Sequence, residues 1–266
     1  MEIIGKKVLL TGATGGLGRT MAANLAYSGA KLILSGRDQG ALEGLASELA
    51  GEGHSVIAAD LGQPGAALEL ARSAGEVDCF VGNAALPSTG RITELTDEQV
   101  SRMLRINLEA PILISQALLP AMLEKGSGKL VMIGSLAGKT ASPRSSIYNA
   151  TKFGLRGFAL ALKADLAGTG VDITLVAPGF VREAGMFADS GAESPTGLGT
   201  TTPEKVAEAV DQAIRGDRPE IAVAPVFQRG IAHLASTSPT LSHRMQSGRA
   251  GQSAARKVAA GQADKR

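Results

Sequence analysis

Tyr148 and Lys152 stand four residues apart, about one turn, in a segment whose apolar spacing predicts a helix over 146–169. A phenol and an ammonium placed so share one helix face. Ser135 lies upstream, just past the apolar run Leu130-Val131-Met132-Ile133-Gly134, so a strand end offers a hydroxyl to the same region. The three groups suit proton transfer to a carbonyl oxygen: Ser135 binds the oxygen, Tyr148 gives or takes the proton, and Lys152 favours the phenolate. A free tyrosine titrates near 10, so acid–base work near neutrality requires about 4 kcal/mol in favour of phenolate. The nearby charge of Lys152 is the expected source.

A second chemical signature opens the chain. Thr11-Gly12-Ala13-Thr14-Gly15-Gly16-Leu17-Gly18 follows the apolar segment Lys7 to Leu10 directly. Glycines let the backbone turn tightly and approach a pyrophosphate, whose charge meets the positive end of the helix beginning near Leu17. The second strand ends Leu34-Ser35-Gly36-Arg37-Asp38, with no acid at its tip to take ribose hydroxyls. Arg37 could pair instead with a 2′-phosphate, aided by Arg19, which favours NADP(H) over NAD(H). The bland alternative is a solvated Arg37 beside an Asp38 that caps the next helix. Asp60 and Leu61 close the third strand, where the carboxylate either accepts the adenine amino group or caps a turn. Asn83, in Gly82-Asn83-Ala84-Ala85, is expected to pin neighbouring strands beneath the coenzyme.

The elements that must hold these groups follow from patterning. Nearly continuous apolar runs occur at 7–10, 31–35, 55–58, 77–81, 130–133, 172–176 and 221–224, alternating with helical patterns at 19–28, 41–50, 97–124, 146–169 and 203–215. Runs apolar on both faces belong to a parallel sheet covered on both sides, so the expected fold is α/β, a doubly wound Rossmann-type sheet. Thr202 as cap, Pro203 at the first helical position and Glu204 in the opening turn start the last of these helices. The glycine-rich stretch 182–201 is the candidate lid. The catalytic and dinucleotide-binding domain is expected over 1–225. From 226 to 266 follows an extension, partly helical or disordered, which is either solvated or packed over the site or a neighbouring subunit.

Composition excludes several classes. A net charge of +2 argues against nucleic acid or a membrane surface as partner. No apolar stretch is expected to span a bilayer, and the one cysteine, Cys79, forbids an internal disulfide and suits a reduced, cytoplasmic setting. The three histidines share no ligand-like spacing, so no metal is expected. Arg144, the one charge near Tyr148, either greets an acidic substrate or lies on the surface.

Taken together, these residues resemble the short-chain dehydrogenase/reductase family over roughly residues 5 to 225. Thr11 to Gly18 match its coenzyme loop, Asn83 its Asn-Ala-Gly element, and Asn107, Ser135, Tyr148 and Lys152 its catalytic tetrad. Pro178-Gly179 after the sixth strand match as well. The resemblance implies a seven-stranded sheet, NADP(H)-dependent hydride transfer to a small carbonyl or from a secondary alcohol, Lys152 on the nicotinamide ribose and Asn107 holding a proton-passing water. It also implies a homodimer or homotetramer paired through the helices that carry Asn107 and Tyr148. Two positions depart: the Asn-Ala-Gly element reads Asn83-Ala84-Ala85, and Phe180-Val181 follow Gly179 where the family has a threonine for the carboxamide. The alternative from another class is a catalytically silent NADP(H)-binding redox sensor or interaction protein on the same fold.

Overall fold

A computed structural model describes residues 1–87, 89–191 and 198–262. Residues 192–197 of the candidate lid, and the end of the basic tail with Lys265 and Arg266, lie outside that set. The strands are β1 (Lys7–Thr11), β2 (Lys31–Gly36), β3 (Ser55–Ala58), β4 (Cys79–Gly82), β5 (Gly128–Ile133), β6 (Val171–Pro178) and β7 (Glu220–Val223). They form one sheet in the order β3-β2-β1-β4-β5-β6-β7, and every pairing is parallel.

Both sheet faces are covered, which is why the strands read as unbroken apolar runs. One face carries α1 (Gly16–Tyr27), α2 (Gln39–Glu48) and, numbered in chain order, α7 (Pro203–Arg215), which bury Met21, Leu25, Leu42, Val206 and Val210. The other carries α3 (Ala66–Ala74), α4 (Asp97–Leu104), α5 (Ala110–Lys125) and α6 (Ser146–Asp165), with Leu70, Ile114, Leu118 and Leu155 inside. Thr202 accepts from the Lys205 N–H and Pro203 opens α7, as its sequence demands. No helix was expected over α3, whose buried stripe is the small set Ala67, Leu70, Ala71 and Ala74.

The expected single helix over 97–124 runs to Lys125 and contains a π-helical turn, Arg105–Glu109. Such turns recur at functional sites, and this one holds Asn107. By length and composition the 97–125 stretch could cross a membrane, which corrects the expectation that none could. Here it packs on the sheet through Met103, Ile106, Ile114, Leu118 and Met122.

Sequence order reverses between β1 and β4, opening a crevice beyond their carboxyl ends, the usual ligand position in open α/β sheets. Past residue 225 the chain forms α8 (Val226–Thr237), α9 (Pro239–Ser247) and α10 (Arg249–Gly261). The last returns to this same end of the sheet: a Cβ on Gly261 would stand 1.9 Å from the Ser190 carbonyl oxygen. Cys79 is fully buried in β4, and burial pushes its thiol up to about 12.

Candidate active site

The turn after β1 tolerates only glycine at its critical positions. Gly12 has φ +65, and a Cβ there would stand 2.9 Å from the Ala84 Cα. A Cβ on Gly18 would lie 2.1 Å from the Gly12 carbonyl oxygen. Gly15 caps α1 without any side-chain bond, so no side chain competes for the first-turn N–H groups. The cradle fits a dinucleotide: glycine at each close approach and an uncapped, positive helix end at the switch point. Thr14 sits at the β2 tip, where a Cβ on Gly36 would be 3.3 Å from its hydroxyl. Leu17 faces the cavity described below.

Asn83 joins β4 to this turn. Its Nδ2 donates to the carbonyls of Thr11 at 3.0 Å and Gly12 at 3.1 Å, while its own N–H donates to Thr11 Oγ1 at 3.1 Å. The strand-pinning expected of it is therefore present. At the adenosine end, Arg37 is exposed and forms no ion pair among the described residues, whereas Asp38 caps α2 by accepting from the Ala41 N–H. Arg19 instead reaches Glu48 at 3.9 Å. Asp60 accepts from Arg102 at 2.9 Å and from the Gly62 N–H at 3.0 Å. Burial opposes ionisation of Asp60, but these bonds outweigh it and hold its pKa below the usual carboxylate value. Leu61 beside it is buried.

The catalytic candidates converge beyond β5. Ser135 caps a short 3-10 turn, Leu136–Gly138, accepting from the Ala137 N–H. Helix α6 approaches so closely that a Cβ on Gly138 would stand 2.7 Å from the Lys152 carbonyl oxygen. Asn149, which the sequence reading passed over, fixes this approach. It donates to the carbonyls of Ala137 at 2.7 Å and Thr140 at 2.9 Å, and accepts from the Ser142 N–H at 3.0 Å. Glu220 of β7 adds a charged clamp, gripping Lys139 at 2.7 Å and Arg156 at 3.1 Å.

Within this frame the Lys152 Nζ donates to the Ile133 carbonyl at 2.9 Å and lies 5.7 Å from the Tyr148 ring centroid. The two face the same cavity with Ser135. Burial raises the Tyr148 pKa, and the hydrogen bond with Ser135 only partly opposes it. Burial likewise depresses Lys152 from 10.5 to about 8. The expected lowering of the phenol by the ammonium is therefore not met by these side chains alone, because desolvation penalises both charged forms. Asn107 is buried in the π-helical turn, its Oδ1 accepting from the Leu86 N–H at 2.7 Å and its Nδ2 donating to the Leu86 carbonyl at 2.9 Å. Its amide thus holds the chain that follows Asn83.

The cavity measures about 360 Å³ and runs from Leu17 and Pro178-Gly179 past Tyr148 to the C-terminal helices. Where a threonine was missing, Phe180 follows instead, its N–H donating to Gln228 Oε1 at 3.4 Å. Val181 pairs with Thr201. Gln228 also donates to the carbonyls of Leu198 and Gly199, so α8 fixes both ends of the loop after β6. Arg144 is not among the residues lining the cavity and reaches Glu94 at 3.9 Å. Sequence reasoning missed Gln228, Gln246 and Gln262, which all line the cavity. Their only signal was glutamine recurring in a stretch otherwise poor in apolar residues.

A parallel sheet with a glycine turn at its switch point and a Ser, Tyr, Lys cluster one strand away defines a dinucleotide-dependent oxidoreductase. The family model described as short chain dehydrogenase matches residues 6–194, and the chain belongs to that family. Ketoacyl reductase HetN of Nostoc sp. is 35% identical over 227 residues, covering 83% of this chain and 79% of the relative. Among solved structures, a 3-oxoacyl (acyl-carrier-protein) reductase from Agrobacterium tumefaciens C58 with NADP bound is 25% identical, with TM-score 0.74, over 83% of this chain and 93% of that one. The closed form of a serine dehydrogenase complexed with NADP+ is 30% identical, with TM-score 0.73, over 83% of this chain and 95% of that one.

Proposed function

We propose that this oxidoreductase is NADP(H)-dependent and interconverts a small carbonyl compound and its secondary alcohol, with Tyr148 as general acid and base. The observation that carries the reading is the meeting of Ser135, Tyr148 and Lys152 in one cavity that also reaches Leu17 of the glycine turn. Bound nicotinamide supplies the hydride. Thr11 to Gly18 present backbone N–H groups to its pyrophosphate, and Pro178-Gly179 border the ring. Arg37, exposed and in no ion pair among the described residues, would meet the 2′-phosphate; bound NADP in two of the similar structures agrees with this. Asp60 and Leu61 border the adenine, and Asn83 keeps the floor in place.

On the substrate side, Ser135 and Tyr148 donate hydrogen bonds to the carbonyl oxygen, which then takes the Tyr148 proton. Burial keeps that phenol protonated and ready to donate. Lys152, held by the Ile133 carbonyl, is placed to bind the nicotinamide ribose and to steady the phenolate that remains. The Asn107 amide positions the Leu86 segment. A silent binder would have no use for a phenol in this place. Residues 1–225 do the binding and chemistry while the described part of the extension, 226–262, covers them, and two or four copies pair through α4 to α6, where Leu104, Leu123 and Phe153 are exposed. The buried free thiol suits the cytoplasm.

The test is NADPH oxidation against a carbonyl panel. Tyr148→Phe is expected to lower kcat by about a thousandfold with NADPH affinity unchanged. A kcat that the substitution leaves undiminished overturns the reading.

A further inference from the structure

Three segments distant in sequence meet above the cavity. The side chain of Gln262, immediately after α10, accepts from Thr89 Oγ1 at 2.7 Å and donates to the Met186 carbonyl at 2.8 Å. Gln262 and Thr89 are only 4% and 6% exposed, so these bonds lie inside the protein. Ala255 and Val258 of α10 face the cavity, as does Gln246 of α9, which donates to Thr140 Oγ1 at 3.4 Å. Helix α8 adds Ile231 and Ala232. The C-terminal helices therefore roof the place where Tyr148 would meet a carbonyl, and Gln262 ties that roof to both walls.

The chemistry of the enclosed wall is one-sided. Among the described residues that line it, Tyr148 and Lys152 are the only titratable ones; the rest are apolar or neutral. Lys152 is already bonded to a backbone carbonyl. A carboxylate or phosphate brought here would lose its water and meet no free cation, a costly transfer. A neutral apolar body gains from the same wall. A carbonyl carried on a long tether faces a further obstacle, because Gln262, bridging Thr89 and Met186, closes one side of the cavity.

We infer that α10 and its Gln262 latch form a specificity roof that selects compact, uncharged, apolar ketones or secondary alcohols and rejects anionic or carrier-tethered carbonyls. The inference rests on the hydride-transfer reading above and adds the substrate class to it. It concerns kcat/KM ratios, whereas the reading beneath it concerns whether Tyr148 turns over any carbonyl.

Full-length wild type, Gln262→Leu and Val258→Lys would be assayed with NADPH and three probes: 1-decalone, acetoacetate and acetoacetyl-coenzyme A. NADPH fluorescence would verify that each variant is folded and binds coenzyme. Wild type is expected to favour 1-decalone over both anionic probes by about a hundredfold in kcat/KM, the scale of discrimination an ill-matched polar group produces. Gln262→Leu, which loses two neutral hydrogen bonds, is expected to raise the KM for 1-decalone about tenfold and to narrow that ratio. Val258→Lys puts a cation on the roof and is expected to raise kcat/KM for acetoacetate about tenfold. An unchanged ratio in both variants, or a wild type that prefers either anionic probe, overturns the roof while Tyr148→Phe still abolishes turnover. A wild type that reduces no probe, or a Tyr148→Phe variant as active as wild type, overturns the hydride-transfer reading and the roof with it.

Discussion

The two ends of the cavity are built by different means. At the coenzyme end, backbone sterics decide: Gly12 and Gly18 admit no Cβ, and Asn83 holds main-chain carbonyls rather than side chains. At the substrate end, neutral side chains bridge segments far apart in the chain, Thr89 to Gln262 and Thr140 to Gln246. The first arrangement leaves almost no freedom of residue type. The second can be rebuilt one glutamine at a time, which suits a fold whose members share a coenzyme and differ in what they transform.

The comparison breaks most sharply at Gly18. Gly18→Ala forces a methyl against the Gly12 carbonyl and should lower NADPH affinity about a hundredfold while destabilising the fold by about 1–3 kcal/mol. Calorimetric titration reads the first effect and urea unfolding the second; an alanine variant that binds normally would remove the steric argument. Lys152 tests the boundary between the two ends. Its pKa of about 8 lies below the ordinary 10.5, so the unfolded chain binds the proton more readily between those values. Stability attributable to this group therefore rises with pH across that window, after a cost of about 3 kcal/mol at neutrality. Coenzyme-free Lys152→Met should gain over wild type at pH 7 and lose that advantage toward pH 10.5, followed by denaturant midpoints at both values. A difference that does not depend on pH would mean the ammonium is not desolvated. The smallest effect is at Arg37: Arg37→Ala should weaken NADPH about tenfold and leave NADH unchanged. Equal losses for both coenzymes would assign Arg37 a purely structural part.

Legibility in the sequence divides along the same line. The strands fall within about two residues of their apolar runs, because a sheet covered on both faces leaves a continuous signal. The glycine turn, Asn83 and the Ser135, Tyr148, Lys152 group were readable for a related reason, since spacing along a strand or a helix fixes where they point. Helix α3 escaped notice because its start, Gly65, gives no capping side chain and its stripe is mostly alanine. The π-helical turn at Asn107 leaves no mark in an apolar period, yet it aims the amide at Leu86. The roof was least legible. Gly, Ser and Gln in 226–262 left open whether the chain is solvated or packs over the site or a neighbouring subunit, and nothing local reveals that Gln262 finds its partners at positions 89 and 186. For Tyr148 and Lys152, spacing predicted their proximity, but not the desolvation that acts on both.

Cys79, sealed in the central strand with its thiol pushed up to about 12, gives the molecule a built-in clock. An alkylating reagent cannot reach that sulfur while the sheet stays closed, so the rate of its capture reports how often the whole core opens. Saturating NADPH should slow that clock by the factor its binding energy dictates, giving coenzyme affinity from a reaction that needs neither substrate nor turnover.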